Sequence, residues 1–76
     1  MSLDAKVIEI IAENLGVSAD SVTPEKSFEE LGADSLAVVE LVMAFEDEFD
    51  IELDDGDAAA LKTVKQTIDF VKNITA

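Results

Sequence analysis

The chain contains no cysteine, histidine, arginine, tryptophan or tyrosine, and only one proline. Each absence closes a route. Without cysteine there is no disulfide framework and no thiolate metal site. Without histidine, a serine has no imidazole to take its proton, and the five lysines are scattered over separate segments. "GADSL" also lacks the second glycine, two residues after the serine, that a nucleophile elbow requires. Long apolar runs are missing as well. In "MSLDAKVIEIIAENLG" the charges at Asp4, Lys6, Glu9 and Glu13 break every such run, which argues against a signal peptide and a membrane span. A soluble, cytoplasmic chain is the expectation.

Positive charge is scarce. Eighteen Asp and Glu face five Lys, for a formal net charge of −13. Such a field repels nucleic-acid phosphates and anionic lipid, so neither nucleic acid nor membrane insertion is expected, and it draws basic protein surfaces. At 49% hydrophobic content with periodic apolar residues, the chain is too apolar for acidic disorder. Its 76 residues make one small domain, 1–76, with a single modest core. Acids this abundant form pairs by chance, and a domain this size leaves little room for a substrate cleft. A calcium loop tried on "DIELDDGDAAAL" fails, with Asp55 at position six and Leu61 at position twelve. Neither an enzyme nor a metal site is expected.

What is present is helical periodicity. Leu3, Val7, Ile10, Ile11 and Leu15 recur at three- and four-residue steps, predicting a helix over 3–15. Ser2 suits its N-cap, Asp4 its first turn and Gly16 its left-handed C-terminal position. From Val17 to Ala33 the chain is dense in turn residues, with Val17, Val22, Phe28 and Leu31 spaced to pin it to a core; a short helical turn fits Phe28–Leu31. A second helix is predicted over 35–49 with Asp34 as N-cap. A short one is expected near 57–61. Thr63 and Gln66 have capping-box spacing and open a last helix with Val64, Ile68, Val71 and Ile74 on one face. No segment alternates like a strand. The fold class is all-α: a small four-helix bundle, three main helices plus one short.

The second helix is apolar on two sides. At about 100° per residue, Val38, Leu41, Val42, Phe45 and Phe49 share one face, while Leu36, Val39 and Met43 fall nearly opposite, among Glu40, Asp47 and Asp50. A bundle this small cannot enclose a helix. The second stripe therefore reads as a docking surface ringed by acid, although single exposed apolar residues are ordinary. Ser35 stands at the helix start. There it either helps to cap the helix or receives a phosphate, which free N–H groups and the helix dipole favour. Position alone does not separate the two.

"LGADSL", residues 31–36, resembles the attachment motif of the acyl carrier protein family. The similarity continues through "VELVMAFEDEFDIEL" to Leu53, with "NLGV" and "KTVKQTIDFV" on the flanks. The resemblance implies a monomeric four-helix carrier in fatty-acid or polyketide-type biosynthesis. Its Ser35 would receive 4′-phosphopantetheine from coenzyme A through a phosphopantetheinyl transferase, with Asp34 beside it, and the arm's thiol would carry acyl groups as thioesters. It further implies synthase partners with basic docking surfaces, meeting Leu36, Val39, Glu40, Met43, Glu46 and Asp47. Val7, Ile11, Phe28, Leu41, Val42, Phe45, Leu61 and Ile68 would line an acyl cavity. Three departures from the family pattern stand out. Ala37 replaces an acid, the stretch between Phe28 and Gly32 is one residue short, and Asp54 takes a place often held by proline. They bear on whether the carrier is a housekeeping one or dedicated to a pathway. Asp34 sets the motif apart from peptidyl carriers, which more often have histidine there. A reading from another class is a non-carrier acidic helical module that docks basic partners through the second helix.

Overall fold

The computed structural model describes residues 2–75, without the side chain of Asp55. Helix α1 spans Leu3–Leu15, α2 Ser35–Phe49, α3 Asp55–Ala60 and α4 Val64–Thr75, with a 3-10 turn at Ala19–Ser21. No strand forms among the described residues; one isolated antiparallel bridge joins Ser27 to Thr63.

Helix ends follow their local chemistry. The Ser2 hydroxyl accepts from Ala5 N–H, and Gly16 closes α1 at φ 69°, returning its N–H to Ala12 O. Asp34 caps α2 by accepting from Ala37 N–H at 2.8 Å. Thr63 and Gln66 form the reciprocal capping box, Gln66 N–H to Thr63 Oγ1 and Thr63 N–H to Gln66 Oε1, both 3.1 Å. Helix α3 starts two residues earlier than the apolar pattern suggests. The reason is Asp54, whose Oδ1 accepts from Asp57 N–H at 2.7 Å and fixes the first turn there.

Two ion pairs give the relative directions of the helices. Lys6, near the start of α1, reaches Glu48 near the end of α2 at 2.8 Å, and Lys72 near the end of α4 reaches Asp4 at 2.9 Å. Hence α1 runs antiparallel to both α2 and α4. The Ser35 pole of α2 therefore lies at the other end of the bundle, beside the start of α4. The same geometry corrects one expectation. Ile74 lies beyond Lys72, past the first turn of α1, and is 40% exposed instead of sharing the buried face of Val64, Ile68 and Val71.

Val7, Ile11, Leu41, Phe45, Val64, Ile68 and Val71 form the centre of the core, and Phe45 stacks on Phe49 at 6.4 Å between ring centroids. Thr67 is the buried polar residue there, and its hydroxyl donates to Thr63 O at 3.1 Å. Val22 and Phe28 bring the long connection into this core, with Val17 and Leu31 packed at its edge. Backbone bonds hold it down: Phe28 N–H to Lys62 O, Val64 N–H to Lys26 O and Lys65 N–H to Pro24 O, at 3.0–3.1 Å. The radius of gyration is 11.0 Å, close to the ~11 Å expected of a compact chain this long. The 17–33 connection is thus part of the folded body.

Candidate functional site

The approach to Ser35 is a built turn. Ser27 and Glu30 form a second reciprocal capping box, Ser27 N–H to Glu30 Oε1 and Glu30 N–H to Ser27 Oγ, both 3.1 Å. The S-x-x-E spacing of "SFEE" carries this signal, and the sequence reading passed over it. Phe28 O then accepts from Leu31 N–H and Ala33 N–H at 3.1 and 2.9 Å, closing the short turn expected at Phe28–Leu31. Gly32 sits at φ 88°, a left-handed conformation that glycine adopts without steric cost. The buried Phe28 ring and the Phe28–Lys62 bond fasten this turn to the start of α4.

Asp34 follows as the N-cap, which leaves Ser35 as the first residue of α2. The two roles left open for Ser35 thereby separate: the capping oxygen belongs to Asp34. Ser35 is exposed, and no hydrogen bond within the described residues holds its hydroxyl. The N–H groups of Ser35 and Leu36 precede the first intrahelical bond, Val38 N–H to Asp34 O, so the helix presents unpaired donors and its positive end beside the hydroxyl.

Ser35 also stands at the mouth of an open groove of about 1000 Å³ between α2 and α3. One wall is Val38, Val39, Val42 and Met43; the other is Leu53, Ala58, Ala59 and Leu61, with Phe28 and Ala33 at the near end. The structure divides the eight expected cavity residues. Phe28, Val42 and Leu61 line the groove, while Val7, Ile11, Leu41, Phe45 and Ile68 pack in the closed core away from it. Apolar pattern alone gave no means of telling these two environments apart. Val38, Val39, Met43, Leu53, Ala58 and Ala59 also line it and were not expected to: periodicity assigned Val38 to the core face and Val39 and Met43 to the outer stripe, while Leu53 in the connection and the two alanines of the short α3 leave no periodic trace.

On the exposed side of α2, Leu36 is 67% exposed and lies outside the groove, while Val39 at 54% and Met43 at 61% form its rim. Glu40 and Asp47 lie exposed among them, and α2 carries no lysine. Glu46 differs. It is half-buried, and its Oε2 accepts from Leu53 N–H at 2.9 Å, so it also shapes the groove. Asp34, Leu36, Val39, Glu40, Met43 and Asp47 thus share the exposed surface around Ser35 and along α2, with Glu46 at its inner edge. No helix of the described residues is long and apolar enough to cross a membrane, and no cluster of acids there is arranged to hold a metal ion.

Comparison with known proteins agrees with this geometry. Residues 5–71 match the family model described as "Phosphopantetheine attachment site". Acyl carrier proteins from two strains of Nitratidesulfovibrio vulgaris, DP4 and Hildenborough, are each 55% identical over 74 residues, covering 96% of this chain and 97% of theirs. Among solved structures, an acyl carrier protein from Thermotoga maritima superposes with a TM-score of 0.77 at 42% identity, covering 91% of this chain and 81% of that one. One from Enterococcus faecalis gives 0.78 at 36% identity, covering 93% and 91%. Carriers of this kind work with a phosphopantetheinyl transferase and with synthase enzymes. A four-helix fold, an exposed serine at a helix start and these relatives lead to one conclusion: the chain belongs to the acyl carrier protein family, a carrier and not an enzyme, with 4′-phosphopantetheine as its prosthetic group.

Proposed function

We propose that Ser35 is the residue that carries the 4′-phosphopantetheine arm. The observation that supports this reading most is the combination at one point of an exposed, unbonded hydroxyl, the positive end of α2 and the groove mouth. The residues present fit the group. A phosphodiester on Ser35 would meet the free N–H groups of the first turn, and Asp34 already satisfies Ala37 N–H, so the cap persists after modification. When attached, the arm supplies a thiol that holds acyl groups as thioesters.

The chain's own residues then do three things. The Phe28–Ala33 turn holds Ser35 outward at a fixed place. The apolar walls of the groove offer an acyl chain a site out of water, worth about 0.8 kcal/mol for each buried CH₂. Leu36, Val39 and Met43, with Glu40, Glu46 and Asp47, form the surface on which partner enzymes dock, and the absence of lysine from α2 suits partners with basic surfaces. We read the chain as one carrier domain over residues 1–76, acting as a cytoplasmic monomer in fatty-acid or polyketide-type assembly.

Incubation with a phosphopantetheinyl transferase and coenzyme A, followed by intact-mass measurement, tests the attachment. The expected result is one added phosphopantetheine unit on the wild-type chain and none on Ser35→Ala. Because Ser35 is exposed and does not cap α2, Ser35→Ala should keep its helical circular dichroism. Addition to the alanine variant, or none to the wild type with several transferases, would refute the assignment.

A further inference from the structure

The groove that opens at Ser35 is lined by the carboxylates of Glu29, Asp34, Glu46 and Asp54 and, among the described residues, by a single cation, Lys62. In a chain of net charge −13 a free cation is scarce. Three of the five lysines are engaged already, Lys6 with Glu48, Lys26 with Glu30 and Lys72 with Asp4. Lys62 is exposed and pairs with no carboxylate among the described residues.

Backbone bonds fix the root of this side chain. Lys62 N–H donates to Gln66 Oε1 at 2.9 Å, and Lys62 O accepts from Phe28 N–H at 3.0 Å. Phe28 O in turn accepts from Ala33 N–H at 2.9 Å. Phe28 is thus the common anchor of the lysine and of the turn that aims the serine, and Lys62 is rooted at the same end of the groove as Ser35. Its flexible four-carbon stem ends in an ammonium that behaves as a point charge. A phosphodiester on Ser35 would add negative charge to an end of the groove that already holds Glu29 and Asp34. The N–H groups at the start of α2 meet part of that charge.

We propose that Lys62 anchors the root of the prosthetic arm: its ammonium pairs with the phosphodiester on Ser35 and turns the arm toward the groove. This rests on the reading of Ser35 as the attachment site, and it makes Lys62 a positioning residue for the arm. Both groups are exposed, so the pairing biases the arm by about fivefold or less and leaves it free to swing. Lys65 is also exposed and unpaired among the described residues, but it does not line the groove, and it serves as the internal control.

The test compares unloaded and loaded full-length chains at about 0.15 M salt, where charges further apart than about 8 Å are largely screened. Intact mass of the wild type and Ser35→Ala comes first, and failure at that step counts against the attachment site itself. On the loaded chain, phosphorus NMR then reports the phosphodiester. Lys62→Gln should move its resonance, Lys62→Arg, which keeps the charge, should hold it near the wild-type position, and Lys65→Gln should leave it in place. The bonds that Lys62 makes are through its backbone, so these variants keep the fold. A short pulse of acetic anhydride, after the arm's thiol is capped with iodoacetamide, gives a second readout by peptide mass mapping. Lys62 should be acetylated about two- to fivefold less in the loaded chain than in the unloaded one, and Lys65 equally in both. A phosphorus resonance that Lys62→Gln leaves in place, or that Lys65→Gln moves as far, would overturn the proposal, as would equal acetylation of Lys62 in the two chains.

Discussion

Asp50 ends α2 at φ 54°, ψ 52°, the one non-glycine residue with positive φ among those described. It carries two penalties there. A side chain in the left-handed region clashes with its own backbone, though aspartate suffers less than most residues. A negative charge at a helix C-terminus also opposes the dipole. Gly16 occupies the equivalent place after α1 and pays neither. Asp50→Gly should accordingly raise stability by about 1 kcal/mol, read as a higher urea midpoint at unchanged slope. A lower midpoint would mean that Asp50 makes a compensating contact in solution. Ser35 illustrates the opposite limit of the residue scale, since its exposed hydroxyl contributes little to the fold and its value lies in where the turn before it points.

Helix α2 shows how far one element can be read from its letters. Its bounds, its cap and both of its faces were legible, because Asp34 marks the start and two apolar stripes recur at helical spacing. The outer stripe makes few demands on stability. Met43→Ala and Leu36→Ala should each change unfolding free energy by less than ~0.5 kcal/mol, yet each should weaken transfer of a loaded carrier to partner enzymes, measured as a raised KM for the carrier. A core-sized loss of several kcal/mol for either would show that the stripe is buried in solution. Glu40→Lys should slow partner association and flatten its salt dependence, as expected for a rim charge. Helix α3 was read less well. Its start at Asp55 depends on a cap by Asp54, next to Gly56 and without apolar periodicity, so pattern reasoning placed it near Asp57. The 3-10 turn at Ala19–Ser21 left no apolar signature either. The groove was the least legible part, because it depends on which side of buried residues is left unfilled. That is a property of packing between α2 and α3 and not of either sequence segment.

For the molecule as a whole, repulsion outweighs attraction among surface charges. Among the described residues, three ion pairs, Lys6–Glu48, Lys72–Asp4 and the looser Lys26–Glu30 at 4.0 Å, are all roughly half exposed, and each contributes ~0–1 kcal/mol. Against them stand 18 acids for five lysines. Raising sodium chloride from 20 to 500 mM shortens the screening length from about 20 Å to about 4 Å. It should therefore increase the melting temperature, even though it weakens the pairs themselves. A fall with salt would show that the pairs dominate.

The crossing of Ser27 with Thr63 has a consequence for chains still emerging from a ribosome. Phe28, and with it the turn that aims Ser35, is secured by Lys62, Val64 and Lys65, more than thirty residues further along. Until those residues have been translated, the serine belongs to an unanchored segment. A nascent chain halted at residue 60 should accordingly be a poor substrate for pantetheinylation beside one that runs through α4, a comparison that mass measurement of the two truncation products makes directly. The fold in this way ties the loading of the carrier to translation of the segment that opens α4.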